Sequence, residues 1–104
     1  MVSDETYNHF SFLKRIKDIQ QIYLQMTEGQ LGQYISISSL WRIYSVQVTV
    51  TPMYHEEFAM LLIDLMLLFP HDIDLTPARS EKEGGIRWKE VLYGGVILHR
   101  KVYG

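Results

Sequence analysis

The chain has 104 residues, of which 47% are hydrophobic and 21% are charged. This composition excludes a disordered or collagen-like chain, because enough apolar side chains are present to bury a core. Cysteine is absent, which excludes disulfides and thiolate metal sites and favours the nucleus or the cytoplasm. The formal net charge is −2, but residues 1–78 contain 4 basic and 9 acidic side chains, whereas residues 79–104 contain 6 basic and 3 acidic ones. Positive charge is therefore concentrated in the C-terminal segment.

Neither export nor membrane insertion is expected of this chain. Residues 1–5 lack the cationic and apolar stretches of a secretory or transit signal. The most apolar stretch, from Phe58 to Phe69, is 12 residues long and contains Asp64, whereas a bilayer-spanning helix requires about 20 apolar residues. We therefore expect one intracellular domain over residues 1–104, without membrane contact.

Residues 1–29 are predicted to form an N-terminal helix. Asp4 is a candidate N-cap, and Gly29 is a candidate stop signal. The apolar side chains between them have the 4-3-4-3 spacing of one helical face, which suits packing against a core, although a seam with a second chain is the alternative. These side chains are Phe12, Ile16, Ile19, Tyr23 and Met26.

A short strand and a short helix are predicted next. Residues 34–37 alternate in polarity as a strand does, and either Ser38 or Ser39 can cap a helix over residues 40–44. Residues 46–50 have the β-branched composition of a strand but fit an extended link equally well, because they lie between two predicted helices.

The strongest helical pattern lies in residues 52–69. With the short strand and the short helix before it, it forms a predicted strand and helix-turn-helix over residues 34–69. Thr51 is a typical N-cap, and Pro52 suits the first helical position, where its missing N–H costs nothing. Pro70 ends the helix. The core-facing stripe has i, i+3, i+4, i+7 spacing and consists of Phe58, Leu61, Leu62, Leu65, Leu68 and Phe69.

The rest of the chain, residues 71–104, is predicted to form a β-hairpin. Residues 73–75 alternate in polarity, and the charged, glycine-ended stretch at residues 80–85 is typical of a mobile loop. A second strand is predicted to begin near residues 86–88, and the β-branched run at residues 96–98 closes the chain. The expected fold is α+β, with three helices and a C-terminal hairpin tipped by the glycine-ended loop.

This order of elements occurs together with residues that match a known pattern. Residues 93–98 contain an aromatic residue, two glycines and an aliphatic run, and Arg100 and Lys101 follow them. The helical part of the match consists of Leu40, Trp41, Tyr44, Pro52, Phe58, Leu61 and Leu62. Over residues 35–101 the chain resembles the winged helix-turn-helix domains of the RFX type and of the related C-terminal tails of viral primase-helicases. The resemblance implies that the N-terminal helix is helix one or an extension, and that the hairpin is the wing.

The resemblance also implies a way of holding DNA. In RFX-type domains DNA is held largely through basic side chains of the wing and around the third helix. The corresponding residues of this sequence are Arg79, Lys82, Arg87 and Lys89. The third helix departs from that pattern, because residues 52–69 contain three carboxylates and neither lysine nor arginine. Insertion of this helix into a DNA groove is therefore not expected.

The basic residues of the C-terminal segment indicate a DNA-binding surface even without the resemblance. Cations along the tail can displace the counterions of a phosphate backbone, and Trp88 and Tyr93 lie between them in the sequence. The alternative is a solvated hairpin whose aromatic side chains face the core. The candidate nucleic-acid-binding residues are Arg79, Lys82, Arg87, Lys89, Arg100 and Lys101.

The third helix carries a second candidate surface. Beyond its core stripe it is apolar on nearly every side, and a small domain has difficulty covering such a helix completely. The alternative is a helix enclosed between the first helix and the hairpin. The candidate residues for binding a protein partner or a second copy are Met60, Ile63, Met66 and Leu67.

Enzymatic chemistry finds little support in the sequence. His55 lacks the second histidine that a zinc helix requires four residues later, and Asp72 with Asp74 needs a third ligand to hold a cation. The four histidines are expected at the surface. We expect no catalytic residue, no metal, no cofactor and no small-molecule substrate.

These observations predict a non-enzymatic winged-helix module of a DNA- or chromatin-linked assembly. The wing is expected to contact DNA, and the third helix is expected to contact a protein partner. The alternative is a purely protein-binding or dimerisation domain.

Overall fold

The computed structural model describes residues 4–47, 54–80 and 85–102, with side chains from Leu13 onward. Within these residues the fold is α+β, with three helices and a four-stranded antiparallel sheet. In chain order the elements are α1 (Asp4–Met26), β1 (Tyr34–Ser36), α2 (Ile37–Gln47), α3 (His55–Leu68), β2 (Ile73–Pro77), β3 (Ile86–Trp88) and β4 (Val91–Leu98). No described helix combines the length and the hydropathy that a membrane span requires.

The last strand, β4, is the centre of the sheet. β1 and β2 flank its second half, where Tyr34 is opposite Ile97 and Leu75 is opposite Val96. β3 pairs with its first half. Because β4 pairs with a strand that precedes α2 and with strands that follow α3, the sheet joins the segment before α2 to the segment after α3.

The hairpin differs from the predicted one in its partners and its tip. Within the described residues β2 pairs with β4 and not with β3, and the tight turn lies between β3 and β4. Lys89 and Glu90 form this turn with φ of 49° and 68°, the left-handed backbone of the two-residue turns that suit hairpins. The expectation of a glycine tip was wrong, because two charged residues occupy positions that glycine or asparagine usually fills. Residues 81–84 of the predicted loop lie outside the described residues.

A β-bulge in β4 determines which hairpin side chains face the helices. Thr76 is opposite Gly95, yet the next residue, Pro77, is opposite Tyr93, so β4 has one extra residue at this point. The alternation of β4 therefore shifts, and Tyr93 faces the same side of the sheet as the core residues of β2. Trp88 and Ile86 accompany it, and all three are partly buried against the core.

One cluster of buried side chains connects the three helices and the sheet. The apolar stripe of α1 belongs to it, since Ile16, Ile19 and Tyr23 are buried and α1 packs against α2. The first helix thus packs within its own chain; the side chain of Phe12 lies outside the described residues. The other buried apolar residues are Ile22, Ile37, Leu40, Tyr44, Phe58, Ala59, Leu61, Leu62, Ile63, Leu65, Ile73, Leu75, Val96 and Leu98.

α2 is longer than the predicted helix over residues 40–44: it begins at Ile37, which was predicted to belong to the strand, and its cap lies two or three residues earlier than predicted. The Ser36 Oγ accepts a hydrogen bond from the Ser39 N–H at 3.1 Å, which is the geometry of an N-cap with the third helical residue. Ser36 therefore caps the helix, and Ser38 and Ser39 lie in its first turn. Val46 and Gln47, predicted as part of a strand or link, are helical; residues 48–50 lie outside the described residues.

The ends of α1 and α3 can be compared with the stop and start residues predicted from the sequence. α1 ends at Met26, and the left-handed residues Glu28 (φ 55°) and Gly29 (φ 83°) follow. α3 ends at Leu68, shortly before the predicted breaker Pro70. The predicted start of α3, with Thr51 as N-cap and Pro52 as first helical residue, was wrong: Tyr54 has the extended backbone of an N-cap (φ −66°, ψ 154°), and the helix begins at His55. Residues 51–52 themselves lie outside the described residues.

Candidate functional site

α3 presents six exposed side chains along one side, which we call the α3 face. At 100° per residue they fall within an arc of about 120°. The three apolar members have large exposed fractions: 45% for Met60, 57% for Leu67 and 60% for Leu68. The α3 face consists of Glu56, Glu57, Met60, Asp64, Leu67 and Leu68.

The position of α3 in the fold explains why this side remains open. The opposite side of the helix packs against β2, β3 and α2, and it buries the apolar residues that face them. The helix is apolar on almost every side, so packing one side leaves large apolar groups in contact with solvent.

The predicted partner-binding residues divide between the core and this face. Met60 and Leu67 belong to the α3 face, whereas Ile63 is 1% exposed and Met66 is partly buried against the core. Ile63 is therefore corrected to a core residue that a partner cannot reach. Leu68, which the stripe predicted in the core, is exposed instead.

A shallow, open depression lies on the surface of α3 beside Met60. Its lining combines carboxylates with the side chains of Met60 and Leu61. Glu56 and Glu57 lie in the first turn of α3, where negative charge also stabilises the helix through its dipole. Within the described part of the chain, no ion pair involves Glu56, Glu57 or Asp64. The depression therefore combines apolar side chains with three carboxylates.

Four of the predicted nucleic-acid-binding residues form two pairs at opposite ends of β4. Arg87 and Lys89 are exposed at the β3–β4 hairpin, and Arg100 and Lys101 are exposed beyond the other end of β4. The eight residues of β4 separate these pairs by about 25 Å, at about 3.3 Å per residue. Lys82 lies outside the described residues. The structure thus does not bring all the predicted cations into one patch.

The hairpin cations contact neighbouring groups of the chain. The Arg87 Nη1 donates a hydrogen bond to the Glu90 carbonyl oxygen at 3.4 Å. The Lys89 Nζ lies 4.7 Å from the centroid of the Trp88 ring, within the range of a cation–π contact. Both side chains remain exposed, so they are held near the turn while their charge faces solvent.

Arg79 belongs to a stack on the outer side of the sheet. Its guanidinium carbon lies 4.2 Å from the centroid of the Tyr34 ring. The ring in turn covers Gly95, where an added Cβ would lie 2.0 Å from the Tyr34 Cε2 and 2.8 Å from the Thr76 Oγ1. Glycine at this position is therefore required for the close approach of the ring. No local sequence signal indicates this stack, because its three residues come from distant segments of the chain.

The histidines do not behave alike. His71 and His99 are exposed, as predicted, and the side chain of His9 lies outside the described residues. His55 is instead partly buried, and its Nε2 lies 3.1 Å from the Ser38 Oγ. The centroid of its ring lies 5.3 Å from the centroid of the Trp41 ring in a T-shaped arrangement. The expectation of a surface residue was wrong for His55, because the first turn of α3 packs against the first turn of α2.

The described residues contain no group of three His, Asp or Glu side chains placed to hold a metal ion. Asp72 contributes to the fold through its backbone, since its carbonyl oxygen accepts the N–H of His99 at 2.7 Å. The side chain of Asp74 is exposed.

No family model matches the chain, and neither a curated protein nor a solved structure matches it significantly. Function must therefore be inferred from the geometry and the charge of the chain's own residues.

Proposed function

We propose that this chain is a non-enzymatic winged helix-turn-helix module of a DNA- or chromatin-linked assembly. The proposed wing, formed by β3, β4 and the segment that precedes them, contacts DNA, and the α3 face contacts a protein partner. The observation that carries the proposal is the distribution of charge, because α3 exposes carboxylates and apolar groups, whereas the hairpin exposes two cations, Arg87 and Lys89, beside one carboxylate, Glu90.

The order and pairing of the elements support this fold. Three helices precede most of the sheet, a short strand lies between the first two helices, and a hairpin follows the third. The short strand and the strand after α3 flank the same central strand. α3 contacts β2 and β3, so the proposed third helix lies next to the proposed wing.

The proposed DNA contacts are those of a phosphate backbone. Arg87 and Lys89 stand at the hairpin turn, and Arg79 follows β2 on the same segment. Cations of this kind position a protein on DNA without selecting a sequence. The carboxylates of the α3 face would repel the phosphates on either side of a DNA groove. We therefore assign base recognition to no residue of this helix.

DNA titration with charge-reversed variants tests this half of the proposal. Fluorescein-labelled duplex DNA is titrated with the wild-type chain at several salt concentrations, and the logarithm of affinity should fall linearly with the logarithm of salt concentration. Arg87→Glu combined with Lys89→Glu should lower the affinity at low salt by about tenfold or more, because two phosphate contacts become repulsions.

Lys17→Glu combined with Arg42→Glu is the matched control, because it changes the net charge equally at exposed positions of α1 and α2. It should weaken DNA binding much less than the hairpin pair. Equal losses in the two variants would show that only net charge matters, and an undetectable affinity of the wild-type chain at low salt would remove DNA from the proposed function.

A second candidate function is a purely protein-binding or dimerisation domain. It is favoured by the absence of cations from the described α3 and by the separation of Arg100 and Lys101 from the hairpin pair. Light scattering over a range of concentrations distinguishes it: a monomer–dimer equilibrium together with no DNA affinity supports this second candidate.

A further inference from the structure

The α3 face has a regular pattern of apolar and acidic groups. Met60 and Leu67 are seven residues apart, so about 10.5 Å of helix axis separates them at about 1.5 Å per residue. Asp64 lies between them, and Glu56 and Glu57 lie one turn before Met60. Along the axis, the face therefore presents acid, apolar, acid and apolar positions in turn.

This pattern excludes several occupants by charge. A DNA backbone and an anionic lipid surface would both place negative groups against the carboxylates of Glu57 and Asp64. The same face of a second copy would also bring carboxylates together, because a two-fold interface pairs a patch with itself. A cationic occupant meets no such repulsion.

We infer that the α3 face binds a cationic amphipathic helix of another protein. Such a helix places two aliphatic side chains, seven residues apart, against Met60 and Leu67. Its lysine or arginine side chains reach Asp64 between these contacts and Glu56 and Glu57 at one end. The inference rests on the protein-binding half of the proposed function, and it names the chemistry of that partner.

The geometry of the face suits a helix in particular. The i and i+7 spacing on α3 is matched by the same spacing on a helix packed nearly parallel or antiparallel to it. The shallow depression beside Met60 lets an aliphatic side chain of the partner pack directly on α3. The flexible thioether of Met60 can adjust to the shape of that side chain.

A designed peptide provides the probe for this site. It is an 18-residue peptide with leucine on one helical face and lysine on the other, its ends blocked, and the control peptide carries glutamate in place of every lysine. We expect the lysine peptide to bind the full chain, more weakly as salt rises, and the glutamate peptide not to bind. Backbone amide chemical shifts should move along α3 and not along β4.

Two variants and two matched controls locate the contact. Met60→Ser and Asp64→Asn should each weaken binding of the lysine peptide by about fivefold or more, the usual size for a residue at the centre of an interface. Val46→Ser and Asp74→Asn make the same kinds of change at exposed positions on α2 and β2, and they should leave binding unchanged.

The inference is overturned if the lysine peptide does not bind, if both peptides bind equally, or if the shifts map away from α3. Dimerisation of the free chain that Met60→Ser abolishes would also overturn it, by assigning the face to a second copy. The DNA titration is independent of these results. Loss of DNA binding in the hairpin variant with no peptide binding refutes this inference alone, whereas peptide binding without DNA affinity refutes the DNA half of the proposed function alone.

Discussion

Single residues in this fold are constrained by close contacts that their sequence neighbours do not reveal. Gly95 is such a residue, because the Tyr34 ring occupies the space of its missing side chain. Arg79 lies over that ring. The side chain of Tyr34 therefore connects a glycine of the central strand with a cation of the segment that follows β2.

Gly95→Ala should destabilise the chain, because the new Cβ would lie 2.0 Å from the Tyr34 ring and force it to move. We expect a loss of about 1–3 kcal/mol in the free energy of unfolding, the usual size of an overpacking penalty. Denaturant unfolding of Gly95→Ala, Tyr34→Ala and the double variant measures the coupling. A penalty for Gly95→Ala that stays the same in the Tyr34→Ala background would contradict the proposed contact.

At the scale of elements, α2 contains one serine that stabilises the helix and one that destabilises it. Ser36 caps the helix at its first turn, and its Oγ lies 2.7 Å from the Ser39 Oγ. Near the other end of the helix, the Ser45 Oγ is buried and has no hydrogen-bond partner among the described residues. One serine therefore satisfies an N–H that the helix leaves open, whereas the other loses its contacts with water.

Replacing these two serines should have opposite consequences. Ser36→Ala should cost about 1 kcal/mol of unfolding free energy, because the Ser39 N–H loses its acceptor. Ser45→Ala should be neutral or stabilising, because it removes a buried polar group that forms no bond. Thermal and denaturant unfolding of the two variants check this, and Ser36→Asp should retain most of the stability. Equal losses for Ser36→Ala and Ser45→Ala would rule out the cap.

At the scale of the whole molecule, the buried cluster connects α1, α2 and α3 with the sheet, and Tyr44 belongs to it. Tyr44 is 1% exposed, and its ring lies 5.1 Å from the ring of Phe58 on α3. Burial raises the pKa of the Tyr44 hydroxyl above its ordinary value of 10.0, while Arg15 lowers it and Asp18 raises it by smaller amounts. Ionisation of this tyrosine is therefore less favourable in the folded chain than in the unfolded chain.

The raised pKa of Tyr44 predicts a loss of stability in alkali. Below about pH 10 the tyrosine is protonated in both states, so it adds no pH dependence. As pH rises from 10 toward the higher pKa of the folded state, the folded chain retains a proton that the unfolded chain releases, and the free energy of unfolding falls. Urea unfolding between pH 8 and about pH 11 should show a smaller fall for Tyr44→Phe than for the wild-type chain. If the free energy of unfolding falls equally with pH in both chains, Tyr44 is not the source of the loss.

Much of the helical structure and half of the predicted partner surface follow from local sequence pattern. The 4-3-4-3 spacing of α1 places Ile16, Ile19 and Tyr23 on one side, and these residues are buried. The all-round apolarity of α3 predicts that some of its residues stay exposed, and Met60 and Leu67 are. Such patterns are informative because helical neighbours lie within one or two turns of each other in the sequence.

Only the tertiary structure decided which segments meet. It paired β2 with β4 instead of β3, buried Ile63 while exposing Leu68, and separated the hairpin cations from Arg100 and Lys101. A strand forms its hydrogen bonds with residues distant in the chain, and which side of an apolar helix is covered depends on what packs there. Local periodicity contains neither kind of information, so pairing and burial arise from the packed molecule as a whole.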